Sequence, residues 1–147
     1  MTDANVVIRK GRVDDASEIA ALATELGYPS GEAEMKDRIE RLLLSNAYFL
    51  AVAERESHLI GWVAAEKRLL LESGERAEIV GLIVTSSARQ RGIGLALVKA
   101  AEAWARQQGM RSISVRSNVA RLESHPFYER LGYVRTKTQH AYAKQLV

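Results

Sequence analysis

Residues 76–109 read RAEIVGLIVTSSARQRGIGLALVKAAEAWARQQG, and the fold turns on this stretch. Arg76 to Val84 is dominated by β-branched and apolar side chains, the composition of a buried strand. Gly81 interrupts it, and a glycine within a strand marks a bulge or a close backbone approach. Thr85 to Arg91 is a polar connector. From Gly92 onward Ile93, Leu97, Ala100, Ala101 and Trp104 recur at helical spacing until Gly109 stops the helix. A buried strand therefore runs into a helix whose start carries Arg89, Arg91, Gly92 and Gly94. Unpaired helix N–H groups, the positive end of the dipole and backbone unshielded by Cβ together suit an anion, phosphate above all.

Two other glycine motifs do not fit. A P-loop needs Gly-Lys-Ser/Thr, whereas Gly92 onward reads GIGLALVK. The dinucleotide fingerprint needs Gly or Ala where Leu97 stands, and a tighter strand-to-glycine turn.

Working outward, VVIRK (Val6 to Lys10) is a short strand. Asp15 and Glu18 stand at capping-box spacing before a helix carried by Ile19, Leu22, Ala23 and Leu26. A second amphipathic helix follows Tyr28-Pro29-Ser30-Gly31, carried by Met35, Ile39, Leu42 and Leu43. Tyr48 to Glu54 and Leu59 to Leu71 form an antiparallel hairpin around Arg55-Glu56-Ser57, with a further turn at Glu72-Ser73-Gly74-Glu75. After the glycine-started helix, Ser112 to Ser117 is a strand and Leu122 to Leu131 a short helix closed by Gly132. Tyr133 to Thr138 and His140 to Leu146 make a final hairpin. The order is β-α-α-β-β-β-α-β-α-β-β.

The chain has 147 residues, 47% of them apolar, and a net charge of +3. These values fit a single domain, residues 1–147, with a core large enough to need no disulfide or metal. Cysteine is absent, so thiolate nucleophiles, disulfides and thiolate metal sites are excluded. The histidines at 58, 125 and 140 make no metal-ligand spacing, and no G-x-S-x-G elbow supports a hydrolase. No apolar run approaches the length of a membrane span, and no targeting signal is legible, so a cytoplasmic protein is expected. Residues 1–75 hold nine basic and fourteen acidic side chains, and residues 76–147 hold twelve and four. The basic half suits a polyanion. No nucleic-acid-binding motif is present and its arginines are dispersed, so a nucleic-acid partner is not expected.

Arg89-x-x-Gly92-x-Gly94 resembles the acetyl-CoA signature of the GCN5-related N-acetyltransferase family. The strand AEIVGLIV before it, Asn118 after the next strand, and Phe127-Tyr128-Glu129-Arg130-Leu131-Gly132-Tyr133 occur in that family's order, and the resemblance runs from Val6 to Leu146. It implies an α/β (α+β) fold: a mixed, mostly antiparallel sheet of about six or seven strands flanked by about four helices. It also implies acetyl-CoA as co-substrate and direct transfer to a primary amine in a ternary complex. The acceptor would be a cationic small molecule or a protein or peptide amine. A homodimer is compatible with it, and a catalytically idle acyl-CoA-binding domain is the alternative.

By this resemblance, cofactor contacts fall on Leu82, Ile83, Val84, Arg89, Gln90, Arg91, Gly92, Ile93, Gly94, Leu95, Asn118 and Tyr128. The N–H groups of residues 91–95 would receive the pyrophosphate. Pantetheine would add along the strand edge at Leu82 and Val84. Asn118 would bond the pantetheine or phosphate arm, or simply form the turn after its strand.

Transfer from a thioester to an ammonium needs a base, a donor to the carbonyl and an acid for the thiolate. The Leu82 N–H is the carbonyl donor. The resemblance implies that Tyr128 is the acid; its other reading is a packing aromatic beside Phe127. Glu78 is the base, expected among apolar neighbours and, by strand alternation, on one face with residues 80, 82 and 84. Its other reading is an edge-facing carboxylate paired with an arginine. His125 is an alternative base or a helix cap. By the same resemblance Glu25, Tyr28, Glu32, Glu34, Asp37, Tyr48 and Glu66 line the acceptor side, where acids suit a cationic amine.

Overall fold

The computed structural model describes residues 5–89, 92–117 and 124–147, which fall into two units, Met1–Val115 and Arg116–Val147. In the first, β1 (Val6–Lys10) leads through a 3-10 turn at Val13–Asp15 into α1 (Ala16–Glu25) and then α2 (Glu32–Leu43). There follow β2 (Tyr48–Arg55), β3 (His58–Leu70), β4 (Gly74–Val84), a 3-10 turn at Ser86–Ala88, α3 (Ile93–Gln107) and β5 (Ile113–Val115). The strands lie in the order β1-β2-β3-β4-β5. Pairing is antiparallel up to β4 and parallel between β4 and β5, as a strand–helix–strand connection through α3 requires.

The helices divide between the two faces. Ile19, Leu22 and Ala23 of α1 and Ile39 of α2 pack with Leu50, Val52 and Ile83, while Trp62 and Ala64 border the cluster. On the opposite face, α3 buries Ile93, Leu97, Val98 and Ala101, and Trp104 stacks on Phe49 at 5.5 Å. Each large aliphatic side chain buried in this way contributes about 1.5–3 kcal/mol.

The β2–β3 turn places Glu56 and Ser57 at positive φ, 51° and 66°, between the paired Arg55 and His58. This is the mirror-image turn that matches strand twist.

Asp15 and Glu18 do not form the expected capping box. Asp15 Oδ2 accepts from the Arg12 N–H at 2.8 Å and from Arg9 at 2.9 Å. Glu18 instead accepts from the Leu59 N–H of β3 at 2.8 Å. The intervening 3-10 turn is the reason: Asp15 is its third residue, so its carboxylate reaches back to the start of that turn and not forward into α1.

The second unit contains α4 (Ser124–Arg130). It is closed by bonds from the Leu131 and Tyr133 N–H groups to the Tyr128 carbonyl, 3.0 and 3.1 Å. The expected final hairpin is absent: residues 133–147 form no strand. Alternate positions pair Arg135, Lys137 and Gln139 against Val134, Thr136 and Thr138, so neither face is apolar enough for a two-stranded ribbon to be stable by itself. The described residues therefore hold five strands and four α-helices. The class is mixed α/β with a mostly antiparallel sheet, as expected, but with fewer strands.

Candidate active site

β4 carries the strand side of the site and is not regular. Ala64 pairs with Gly81 and Ala65 with Ile79, so Val80 has no counterpart on β3 and forms a bulge. Gly81 beside it is required by packing, because a Cβ there would lie 2.7 Å from Trp62 Cζ3. The bulge reverses strand alternation. Glu78 pairs with Glu66, and Ile83 with Trp62, which puts Glu78, Gly81 and Ile83 on the α1/α2 face. Leu82 and Val84, opposite Val63 and Gly61, lie on the other face with Ile79. The expectation that residues 78, 80, 82 and 84 share one face is thus corrected.

The bulge lies where β5 stops. β5 pairs only with Ala77 to Ile79, and beyond them no described strand lies on that side of β4. The Thr85 N–H donates to Ile60 of β3 at 2.8 Å, so by alternation the Leu82 and Val84 N–H groups turn away from β3, toward that edge.

Glu78 is buried at 5% exposure, but its neighbours are not apolar. Oε2 accepts from Arg68 Nη1 and Oε1 from Ser114 Oγ, both at 3.1 Å. Arg76 Nη2 stands 3.8 Å from Oε1, and its Nε donates to Ser114 Oγ at 3.1 Å. Arg68 also approaches Glu66 at 3.9 Å. The carboxylate is held by two guanidiniums and a hydroxyl, and each oxygen keeps a lone-pair site beyond these bonds. Sequence reasoning named Glu78 and gave pairing with an arginine as its other reading, which the bond from Arg68 matches, but it did not name Arg68, Arg76 or Ser114. The signal for the arginines was the turn after Leu71: pairing Leu70 with Gly74 brings residues 68 and 76 opposite each other.

At the helix side, Gly92 caps α3 at φ 78°, ψ 7°, the left-handed region that favours glycine. The first intrahelical bond runs from the Ala96 N–H to the Gly92 carbonyl at 3.0 Å. The N–H groups of Ile93, Gly94 and Leu95 are therefore first-turn donors without an intrahelical acceptor. Arg89 is exposed and donates from Nε to the Val84 carbonyl at 3.2 Å. Gln90, Arg91 and Asn118 lie outside the described residues.

Tyr128 belongs to the second unit. Its ring meets Phe127 edge-on at 5.1 Å and Tyr133 at 5.8 Å. His125 precedes it on α4.

The acids expected on the acceptor side are mostly engaged. Glu34 and Asp37 pair with Arg38 and Arg41 at 3.6 and 3.7 Å. Those arginines, with Leu42 and Tyr48, line an open pocket of about 320 Å³. Glu25 accepts from the Ser86 N–H at 3.1 Å and from the Thr85 and Ser86 hydroxyls. The Ser86 N–H, and then the Thr85 hydroxyl, hold its carboxyl below the usual range. Among the described residues no group of His, Asp and Glu is arranged to hold a metal, and no helix is long and apolar enough to cross a membrane.

Comparison with known proteins agrees with this fold. Residues 15–133 match the Acetyltransferase (GNAT) family. An aminoglycoside N(6')-acetyltransferase type 1 from Klebsiella aerogenes is 30% identical over 115 residues, 73% of this chain and 75% of that protein. An uncharacterized N-acetyltransferase, CT2212, from Chlorobaculum tepidum is 32% identical over 133 residues, 90% of this chain and 78% of that one. Among solved structures, an aminoglycoside N-acetyltransferase AAC(6')-Iy in complex with CoA superposes with a TM-score of 0.86 at 21% identity, covering 95% of each chain.

Proposed function

The chain belongs to the GNAT family of acetyltransferases, and we propose that it moves the acetyl group of acetyl-CoA to a primary amine by direct attack within a ternary complex. The observation that carries this reading is the junction of β4 and α3. There a glycine in the left-handed region opens a helix whose first-turn N–H groups have no intrahelical acceptor, a short connector after a strand whose edge N–H groups beyond Ile79 are unclaimed by β5. Phosphates suit the first, and an extended amide-bearing arm suits the second.

In this reading Ile93, Gly94 and Leu95 bind the pyrophosphate through their N–H groups, with Gln90, Arg91 and Gly92 as further contacts and Arg89 adding charge. Leu82 and Val84, flanking Ile83, take the pantetheine amides, and Asn118 bonds the pantetheine or phosphate arm. The Leu82 N–H also polarises the thioester carbonyl. Glu78 accepts the ammonium proton, directly or through a water molecule, at the lone-pair sites that its bonds to Arg68 and Ser114 leave open. The amine nitrogen then attacks the carbonyl carbon, the C–S bond breaks, the Tyr128 hydroxyl protonates the departing thiolate, and the phenolate so formed recovers its proton from the acylated nitrogen. A single domain over residues 1–147 is supported by a family match that extends from residue 15 to residue 133.

The relatives named for aminoglycosides favour a small cationic acceptor, with a peptide or protein amine as the other class. The paired Glu34 and Asp37 are compatible with this. Exposed pairs of that kind are worth under about 1 kcal/mol, so an acceptor ammonium can exchange for Arg38 or Arg41.

The test is calorimetric titration of acetyl-CoA followed by an amine screen read by free thiol release. Acetyl-CoA should bind in the micromolar range and more weakly as salt rises. Gly92→Val should lose affinity by tenfold or more, since a β-branched residue is strained at φ 78°. Undiminished binding in that variant would remove the proposed site. Binding without thiol release for any amine class would favour an idle acyl-CoA-binding domain.

A further inference from the structure

Glu25 is the last residue of α1, a position where helix electrostatics disfavour a carboxylate: the negative end of the dipole lies there. Its side chain compensates by leaving the helix. Oε1 accepts from the Ser86 N–H at 3.1 Å, the Thr85 hydroxyl at 3.1 Å and the Ser86 hydroxyl at 3.2 Å, while Oε2 accepts from the Thr85 hydroxyl at 3.0 Å. These bonds span about sixty residues of sequence and converge on the two residues that follow β4. Thr85 is also tied to β3 through its N–H and the Ile60 carbonyl. Ser86 opens the 3-10 turn that leads to Arg89 and Gly92. Its N–H is one of the donors that such a turn leaves without a partner of its own.

We propose that Glu25 is a positioning residue for the acyl-CoA site: its carboxylate clamps the Thr85–Ser86 corner, and so sets where the connector delivers Arg89 and the first turn of α3. This rests on the reading of that first turn as the pyrophosphate site. The clamp is exposed, so its direct contribution to folding is small; a surface carboxylate serving only solubility would satisfy its lone pairs with water. A negative charge beside an anion site would by itself repel phosphate. Here both oxygens are spent on hydrogen-bond donors, and Arg89 lies close enough to act on Glu25 electrostatically. In this reading Glu25 joins α1 to the loop of the acyl donor.

The test titrates acetyl-CoA into the full chain and four variants: Glu25→Ala, Glu25→Gln, Thr85→Val and the double variant Glu25→Ala/Thr85→Val. Melting temperatures report the fold. Glu25→Ala should weaken acetyl-CoA about tenfold with a nearly unchanged melting temperature. Glu25→Gln, which keeps one acceptor oxygen for the Ser86 N–H, should recover most of that loss. The double variant should be no weaker than Glu25→Ala alone, because both changes break one contact. If the wild-type protein binds acetyl-CoA and Glu25→Ala binds it equally well, the clamp is refuted and the site stands. Additive losses in the double variant refute it also. If the wild-type protein does not bind acetyl-CoA, the site reading fails and the clamp with it.

Discussion

Replacing Glu78 by Gln separates the two roles this carboxylate can have. The change keeps shape but removes the charge that faces Arg68 at 3.1 Å and Arg76 at 3.8 Å. Those arginines are directly paired across β3 and β4, so without Glu78 two like charges face each other with only Glu66 to offset them. Removing one partner of a fully buried pair costs about 3–5 kcal/mol. Both guanidiniums keep 28% exposure and can recover water, which brings the expected loss to about 2–3 kcal/mol. For a chain of this length that lowers the melting temperature by about 5–10 °C.

Catalysis adds a second, independent signature. A base is needed only while the amine arrives protonated, so the rate gap between wild type and variant should narrow as pH rises toward about 10, the range of ordinary primary amines. Initial rates of thiol release from about pH 6.5 to 9.5, at saturating acetyl-CoA and below the melting range of both proteins, measure it. A gap of constant size would make Glu78 an anchor for the two arginines and no proton acceptor. An unchanged melting temperature would refute the ion-pair geometry itself.

Tyr128→Phe should cut turnover by about 10²-fold or less and leave acetyl-CoA affinity almost intact, because it removes a proton donor and keeps the ring packing against Phe127 and Tyr133; equal turnover would reduce Tyr128 to a packing residue. Asp15→Asn should destabilise the fold by about 2–3 kcal/mol at neutral pH, since Asp15 is buried and takes two bonds from Arg9. The Arg9 bonds, ahead of burial, hold the Asp15 carboxyl below its usual value. Its stabilisation is therefore complete above the unfolded value near 3.9 and is lost as pH falls through the folded one. Chemical denaturation at pH 7 and pH 3 should show the wild-type advantage shrinking in acid; an advantage that grows would contradict the assignment.

What sequence reading captured and what it missed have distinct physical causes. Helices α1, α2 and α3 were visible because their apolar stripes bury against a sheet, and periodicity reports burial directly. The α3 start was visible because a glycine at positive φ followed by unshielded N–H groups is a property of a few consecutive residues. Glu78 was found, but its surroundings were misjudged. Its sequence neighbours Ala77 and Ile79 point to the other face, while the residues that surround it, Arg68 and Ser114, come from two other strands. The final hairpin was overcalled because turn-like and β-prone residues were present without the apolar face that would make pairing pay.

The bulge at Val80 concerns the site most closely. Gly81 signalled an irregularity, but composition cannot say which strand carries the extra residue, and on that the phase of every later position depends. Inserted where the β5 ladder ends, one residue separates two tasks along a single strand. Upstream, Ala77 and Ile79 pair with β5, and Glu78 faces the α1/α2 side, where β2 and β3 bring Tyr48 and Glu66 into the same cross-strand row. Downstream, Leu82 and Val84 fall on the opposite face from Glu78 while their N–H groups reach the edge that β5 has left. In an unbroken strand, residues donating to one edge share one side-chain face. Ala77, Ile79, Leu82 and Val84 keep that rule only because Val80 is counted out. A strand of the same sequence paired without the bulge would send the N–H groups of Gly81 and Ile83 to the edge, and would carry Leu82, in place of Ile83, into the α1/α2 core.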